Sequence, residues 1–165
     1  MNTLRNTIIT TALLLGSAAA SAAGALSVQR EATVDAAPAT AWKLVGNFNG
    51  LDVWHPAVTA SSMKGTGTKA GATRVLTLGN GALIKEKLTA YSATQRSYTY
   101  AITESPLPVK NYSSTIKVSP AEGGKSLITW QSTFDASGAS DDEAVKTMQG
   151  VYDAGLGRLG ATLKK

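Results

Sequence analysis

Not one of the 165 residues is cysteine, and only one, His55, is histidine. The first absence excludes disulfide frameworks, thiolate metal sites, thiol catalysis and lipid attachment through cysteine. The second excludes the usual multi-histidine zinc sites, so neither a metal nor a cofactor is expected. Charge is sparse as well, at 16% of residues, and the 16 basic and 11 acidic side chains are scattered, with Lys164 and Lys165 the only adjacent basic pair. A nucleic-acid binder gathers its charge on one face or arm, so no nucleic-acid partner is expected. The formal net charge of +5 leaves room only for a weak attraction to anionic membrane surfaces. Catalytic signatures are missing too: there is no G-x-S-x-G, no H-E-x-x-H, and the P-loop-like end Gly124-Lys125-Ser126 has Ser119 where the earlier glycine belongs. What is present is a globular composition, 43% hydrophobic, in a chain of single-domain length.

The first 23 residues read as an export leader. Arg5 and the amino terminus form a positive segment, residues 8–15 a short apolar one, and Ala18-Ala19-Ala20-Ser21-Ala22-Ala23 supplies the small residues of a signal-peptidase site. The apolar run is shorter than the ~20 residues a membrane span needs. Cleavage is expected at Ala22/Ala23 or one residue later, giving a periplasmic or secreted protein without an integral span and one domain over residues 24–165. A chain free of cysteine suits an oxidising compartment.

Alternation predicts a first strand over 26–34, with Leu26, Val28, Arg30, Ala32 and Val34 on one side. Pro38 suits the first turn of a helix ending near Gly46, and residues 51–54 can form one more turn before Pro56 stops it. Six β-type runs follow, near 57–63, 72–78, 82–91, 96–104, 110–119 and 125–135, separated by Gly, Asn, Ser and Pro, as in a meander of hairpins. Ser140-Asp141-Asp142-Glu143 reads as a capping box opening a long final helix, with acidic residues in its first turn and two lysines at its end. Val145, Met148, Tyr152, Leu156, Leu159 and Leu163 fall on one face of it. Burying both apolar faces calls for an α+β fold: a curved antiparallel sheet of about seven strands wrapped around the long C-terminal helix, with two short helices after the first strand.

Several stretches then carry a family likeness. They are Val34-Asp35-Ala36-Ala37-Pro38, Trp42, Trp54-His55-Pro56, the segment from Gly71 to Arg74, and Gly81 with Glu86. Tyr98-Thr99-Tyr100, Leu107-Pro108-Val109 with Tyr112, Trp130, Phe134 and the Tyr152-to-Leu159 helix complete the set. Their order and spacing resemble the helix-grip fold of the START/Bet v 1-like (SRPBCC) superfamily, in its polyketide cyclase/dehydrase-like branch, over essentially the whole mature chain. The resemblance implies a cavity between sheet and helix. It leaves the activity open, because the superfamily includes lipid carriers, hormone receptors and cyclases.

Within that frame the most informative pair is Arg74 and Glu86. A three-residue loop at Gly79-Asn80-Gly81 sets Leu78 opposite Ala82, Leu76 opposite Ile84 and Arg74 opposite Glu86, all on the apolar face; a two-residue loop would separate them. Such a pair lines a pocket, only fixes the sheet from the inner face, or lies outward in solvent. Tyr98, Tyr100, Tyr112, Trp130 and Phe134 fall on inner-face positions, and Trp54 and Tyr152 on the helices, as either ordinary core or the wall of a semi-polar cavity. His55 lies near one end of the cavity the resemblance implies, either as a proton carrier or as a loop histidine satisfied by a backbone carbonyl. Gly155 falls on the inner face of the last helix, making room for a ligand or for close packing, while Gly150 and Gly157 point away.

These residues lead to a binding protein for a small hydrophobic or amphipathic molecule. Trp54, His55, Arg74, Glu86, Tyr98, Tyr100, Tyr112, Trp130, Phe134 and Tyr152 are its expected ligand contacts. Two other readings stand beside it: a cyclase/dehydratase-like enzyme moving a proton with Glu86 or His55, and a periplasmic accessory protein acting through a protein partner.

Overall fold

In the computed structural model the described residues are 24–164; the leader expected at 1–23, its cleavage site and Lys165 lie outside them. The chain begins with β1 (Leu26–Val34), and Pro38 starts α1 (Pro38–Val45) at the position where a missing N–H costs nothing. A one-turn helix α2 (Leu51–Trp54) follows, ended by His55, which is extended as a residue before proline must be. The strands are then β2 (Val58–Lys64), β3 (Thr73–Leu78), β4 (Leu83–Ser92), β5 (Ser97–Glu104), β6 (Val109–Pro120) and β7 (Ser126–Ala136). A short 3-10 turn at Glu122–Gly124 joins the last two, and α3 (Asp141–Thr162) closes the fold.

All seven strands form one antiparallel sheet in the order β1-β7-β6-β5-β4-β3-β2. From β2 to β7 each strand pairs with the next, and β1 adds itself beside β7, so α1 and α2 carry the chain from one edge of the sheet to the other. Strands β4 and β7 bury alternate residues, as period-two patterning requires. In β4 these are Ile84, Glu86 and Leu88; in β7 they are Ser126, Ile128, Trp130, Ser132 and Phe134. This is the helix-grip architecture expected from the element order.

The capping box at the start of α3 is formed in full: the Ser140 hydroxyl accepts the Glu143 N–H and the Glu143 carboxylate accepts the Ser140 N–H at 3.0 Å. Caps of this kind contribute ~1 kcal/mol. The other end differs from expectation. The helix stops at Thr162, so Lys164 lies beyond its last turn instead of on it, and the dipole match holds only at the N-terminus. The inner face of α3 buries Ala144, Met148, Tyr152, Gly155, Leu156 and Leu159, leaving Val145 and Leu163 half-buried at its margins. Four of these are large side chains, each worth about 1.5–3 kcal/mol on full burial. The helix packs chiefly against β1 and more lightly against β7. Arg30 of β1 reaches Asp153 of α3 at 3.0 Å, an exposed tie of small energetic weight. The other side of the concave face, under β3 to β5, is therefore left to the short helices and loops.

A candidate binding cavity built on a buried ion pair

The turn at Gly79-Asn80-Gly81 takes the three-residue form: the Leu78 N–H donates to the Ala82 carbonyl, and Gly81 adopts a φ of 83° that glycine tolerates without strain. Register follows from it. Leu76 lies opposite Ile84 and Arg74 opposite Glu86, and the pair closes with Arg74 Nε 2.5 Å from Glu86 Oε2. Both residues are buried, Arg74 with 1% of its surface exposed and Glu86 with 4%. The guanidinium also donates through Nη1 to the Phe48 carbonyl and lies over the Phe48 ring, 4.2 Å from its centre. Burial pushes the Glu86 carboxyl up from its usual range, and the adjoining guanidinium pulls it down. A protonated Glu86 would strand a bare cation in the core, so the two groups are stable as carboxylate and guanidinium together.

Where α3 leaves the concave face uncovered there is a cavity of about 210 Å³. Its floor is Leu76 and Leu78 of β3, Ile84 and Glu86 of β4, and Tyr100 and Ile102 of β5. Leu51, His55, Ala57 and Val58 wall it on the side of α2, Met148 and Val151 on the side of α3, and Leu107, Tyr112 and Trp130 complete it. A larger hollow of about 880 Å³ lies open between β5 and β6, where their pairing ends at Ala101 and Ser113. Its lining includes Thr103, Glu104, Lys110 and Asn111, and it shares Ile102 and Tyr112 with the inner cavity. The inner cavity is the stronger candidate because it combines an apolar wall with a buried charged group; the outer hollow has neither.

Beside the cavity runs a hydrogen-bonded aromatic cluster. The Trp130 Nε1–H is shared between the Tyr100 hydroxyl, 3.1 Å away, and Ser114 Oγ, 3.0 Å away, while Ser114 itself donates to the Gln131 carbonyl. The Tyr112 and Tyr152 hydroxyls share a hydrogen bond at 2.5 Å, and the Tyr152 ring stacks on Trp130 with centres 4.3 Å apart. Burial pushes Tyr98 up to about 12 and raises Tyr100, Tyr112 and Tyr152 above the usual phenol range. These tyrosines are neutral at physiological pH, and the hydroxyls of Tyr100, Tyr112 and Tyr152 are committed mostly to one another.

His55 has both ring nitrogens in use. Nε2 lies 2.9 Å from the Val151 carbonyl, which can only accept, so Nε2 carries the proton and Nδ1 receives the Ala57 N–H at 3.2 Å. The ring thus ties the loop after α2 to the middle of α3 as a neutral imidazole. Burial holds its pKa below the ordinary 6.5, partly opposed by the Val151 hydrogen bond. A folded-state pKa below the unfolded one means that the unfolded chain binds the extra proton first. Stability is therefore expected to fall as pH drops from about 6.5 through the folded value. Glu86, shifted upward, acts in the opposite sense at lower pH, so the His55 share is the difference in slope between the protein and its His55→Phe variant. The His55 ring signal in an NMR titration should turn below 6.5; a midpoint at or above that value would show the ring to be free.

Known proteins share this fold. The family model described as polyketide cyclase/dehydrase and lipid transport matches residues 25–164. The chain belongs to that family. It is similar to a Bacillus cereus protein named XoxI, with 33% identity, a TM-score of 0.78, and coverage of 83% of this chain and 94% of that one. An uncharacterised protein of Bacillus thuringiensis matches at 32% identity and TM-score 0.78, covering 84% of this chain and 98% of the other. A Nitrosospira multiformis protein matches at 28% identity and TM-score 0.74, covering 85% and 97%. No curated protein sequence matches the chain.

In this polyketide cyclase/dehydrase-family chain, the residues expected at the site divide into two groups. His55, Glu86, Tyr100, Tyr112 and Trp130 line the cavity together. Trp54, Arg74, Tyr98, Phe134 and Tyr152 are buried but do not line it. Trp54 packs edge-on against Trp130, Phe134 stacks on Tyr112, and Arg74 stands behind Glu86 between Phe48 and Tyr100. Arg74, expected as a group offered to a ligand, gives Nε to Glu86 and Nη1 to the Phe48 carbonyl and stands outside the cavity lining, which the Glu86 carboxyl joins. Most of the lining is aliphatic. Leu76, Leu78 and Ile84 share a face with the ion pair by simple alternation, a signal that could have placed them; Leu107, Met148 and Val151 come from a loop and a helix whose approach no local pattern encodes.

Proposed function

We propose that this protein is an exported binding protein that holds one small, largely apolar molecule in the cavity beside Glu86. The observation that carries the reading is the cavity itself: about 210 Å³, walled by aliphatic and aromatic side chains, with one charged group in its lining. Ligand sites for drug-sized molecules run ~300–1,000 Å³. This volume suits a single ring or a short acyl chain, not a two-chain lipid. The family description, which includes lipid transport, supports a binding role, and the leader-like residues 1–23 support export. Binding is favoured over proton-transfer catalysis because His55 is hydrogen-bonded at both nitrogens and the neighbouring tyrosines titrate far above neutral pH.

Native mass spectrometry of the protein recovered from the periplasm of its own host tests both halves of the proposal. The expected spectrum shows a chain beginning near Ala23 with a small added mass that gentle activation removes. A chain that keeps residues 1–15 in the membrane fraction overturns export. For the cavity, Ile84→Trp places a ring in the space while keeping the inner face apolar, and should weaken binding of a small environment-sensitive apolar fluorophore by tenfold or more. Equal affinity in the two proteins, or no binding to either, overturns the site.

A further inference from the structure

We infer that the cavity selects an uncharged apolar molecule carrying one hydrogen-bond donor, such as a phenol or a small alcohol, with the donor directed to the Glu86 carboxylate. The inference rests on the binding reading above and adds the chemistry of the ligand. Glu86 is almost wholly buried, lines the cavity, and has one oxygen, Oε2, committed to Arg74. Among the described residues none donates a hydrogen bond to its other oxygen, Oε1. A carboxylate oxygen that takes no protein donor loses a hydrogen bond when a ligand excludes water from it, and a ligand hydroxyl is the group that restores it.

The other polar groups of the wall are spent. His55 donates to Val151 and accepts from Ala57. The Tyr112 hydroxyl is paired with Tyr152, and the Tyr100 hydroxyl accepts from Trp130 and shares a 3.5 Å hydrogen bond with the Tyr112 hydroxyl. Glu86 is therefore the group that orients the ligand. Charge narrows the class further. A carboxylate ligand would meet the Glu86 charge with no cation in the lining, since Arg74 lies behind and faces Phe48. An ammonium ligand would bring a second cation to a carboxylate that Arg74 already neutralises, leaving one net buried charge. A pure hydrocarbon would fill the space but displace water from Oε1 without replacing the hydrogen bond. A neutral donor avoids all three costs.

The test uses four probes of matched shape, p-cresol, p-xylene, p-toluate and p-methylbenzylamine, titrated against the intact protein and followed by calorimetry and tryptophan fluorescence. The expected order has p-cresol about tenfold or more tighter than p-xylene, as a hydrogen bond to a charged group implies, with both ions weakest. In the double variant Arg74→Met with Glu86→Leu, which removes the pair as a unit, the p-cresol advantage should vanish while p-xylene still binds. If p-xylene or p-toluate equals or exceeds p-cresol in the wild type, the donor preference is overturned and the cavity reading stands. If none of the four binds, the cavity reading fails and takes this inference with it.

Discussion

Removing one member of the Arg74–Glu86 pair will cost about 3–5 kcal/mol of stability, and removing both together will cost far less. Glu86→Leu leaves a guanidinium, 1% exposed, whose remaining partners are the Phe48 carbonyl and two aromatic faces. Arg74→Met leaves a carboxylate without the donor now 2.5 Å away. In each case the loss is the desolvation cost of the unpaired charge rather than the worth of the contact. The double variant has no charge to strand, and apolar side chains of similar size suit the neighbouring Leu76, Ile84 and Leu88. A double-mutant cycle by urea denaturation reads the coupling directly. Two near-neutral single variants with additive effects would show that the charges reach solvent or are not paired.

The second large effect is expected at Gly155. A Cβ there would lie 2.7 Å from Cδ2 of His55, 2.9 Å from Cζ3 of Trp130 and 3.1 Å from Cζ3 of Trp54. None of these is the loose end of a flexible chain: the His55 ring is fixed by two hydrogen bonds, and the two indoles pack edge to face with centres 5.5 Å apart. Overpacking of this kind costs ~1–3 kcal/mol, against the ~1 kcal/mol that alanine gains over glycine in a helix. Gly155→Ala should therefore lower the urea midpoint in spite of its better helix propensity, and Gly155→Leu should lower it much further. Gly150→Ala and Gly157→Ala serve as controls, because a Cβ at either position meets nothing within 4 Å; both should raise the midpoint by up to ~1 kcal/mol of stability each. A Gly155→Ala protein as stable as the Gly150→Ala control would show that α3 does not sit this close to the sheet.

Gly155 also illustrates how far residue order alone carries the reading. Helical spacing placed it on the inner face, yet offered two uses for the room it makes, a ligand or a close approach. The rings of His55, Trp54 and Trp130 occupy that room, so close approach is the answer. His55 behaves likewise. Its position before Pro56 predicted a loop histidine, but the acceptor that fixes its tautomer, the Val151 carbonyl, lies 96 residues away. Lys164 tells the opposite story: placed at the end of a helix by sequence, it lies beyond that helix because α3 ends at Thr162.

Local patterning was enough for the elements and the capping box, and it narrowed the β3–β4 register to the choice of turn, because each depends on residues within a few positions of one another. Period-two alternation and a three-residue turn bring Arg74 and Glu86 face to face before any tertiary contact is considered. The aromatic residues were equally legible as inner-face residues. Which of them border open space was not. That depends on where a rigid helix comes to rest on a curved sheet: α3 lies over β1 and β7, so Phe134, Tyr152 and Trp54 are sealed in packing, while the uncovered span from β3 to β5 exposes Glu86, Ile84 and Leu76 to the cavity. Packing between elements far apart in the chain sets that position, and alternation along a strand is identical whether the inner face meets a helix or a hollow. Sequence thus determined the fold and, given a three-residue turn, the facing of Arg74 and Glu86; tertiary structure decided that the pair is buried and which of its two charges borders the cavity.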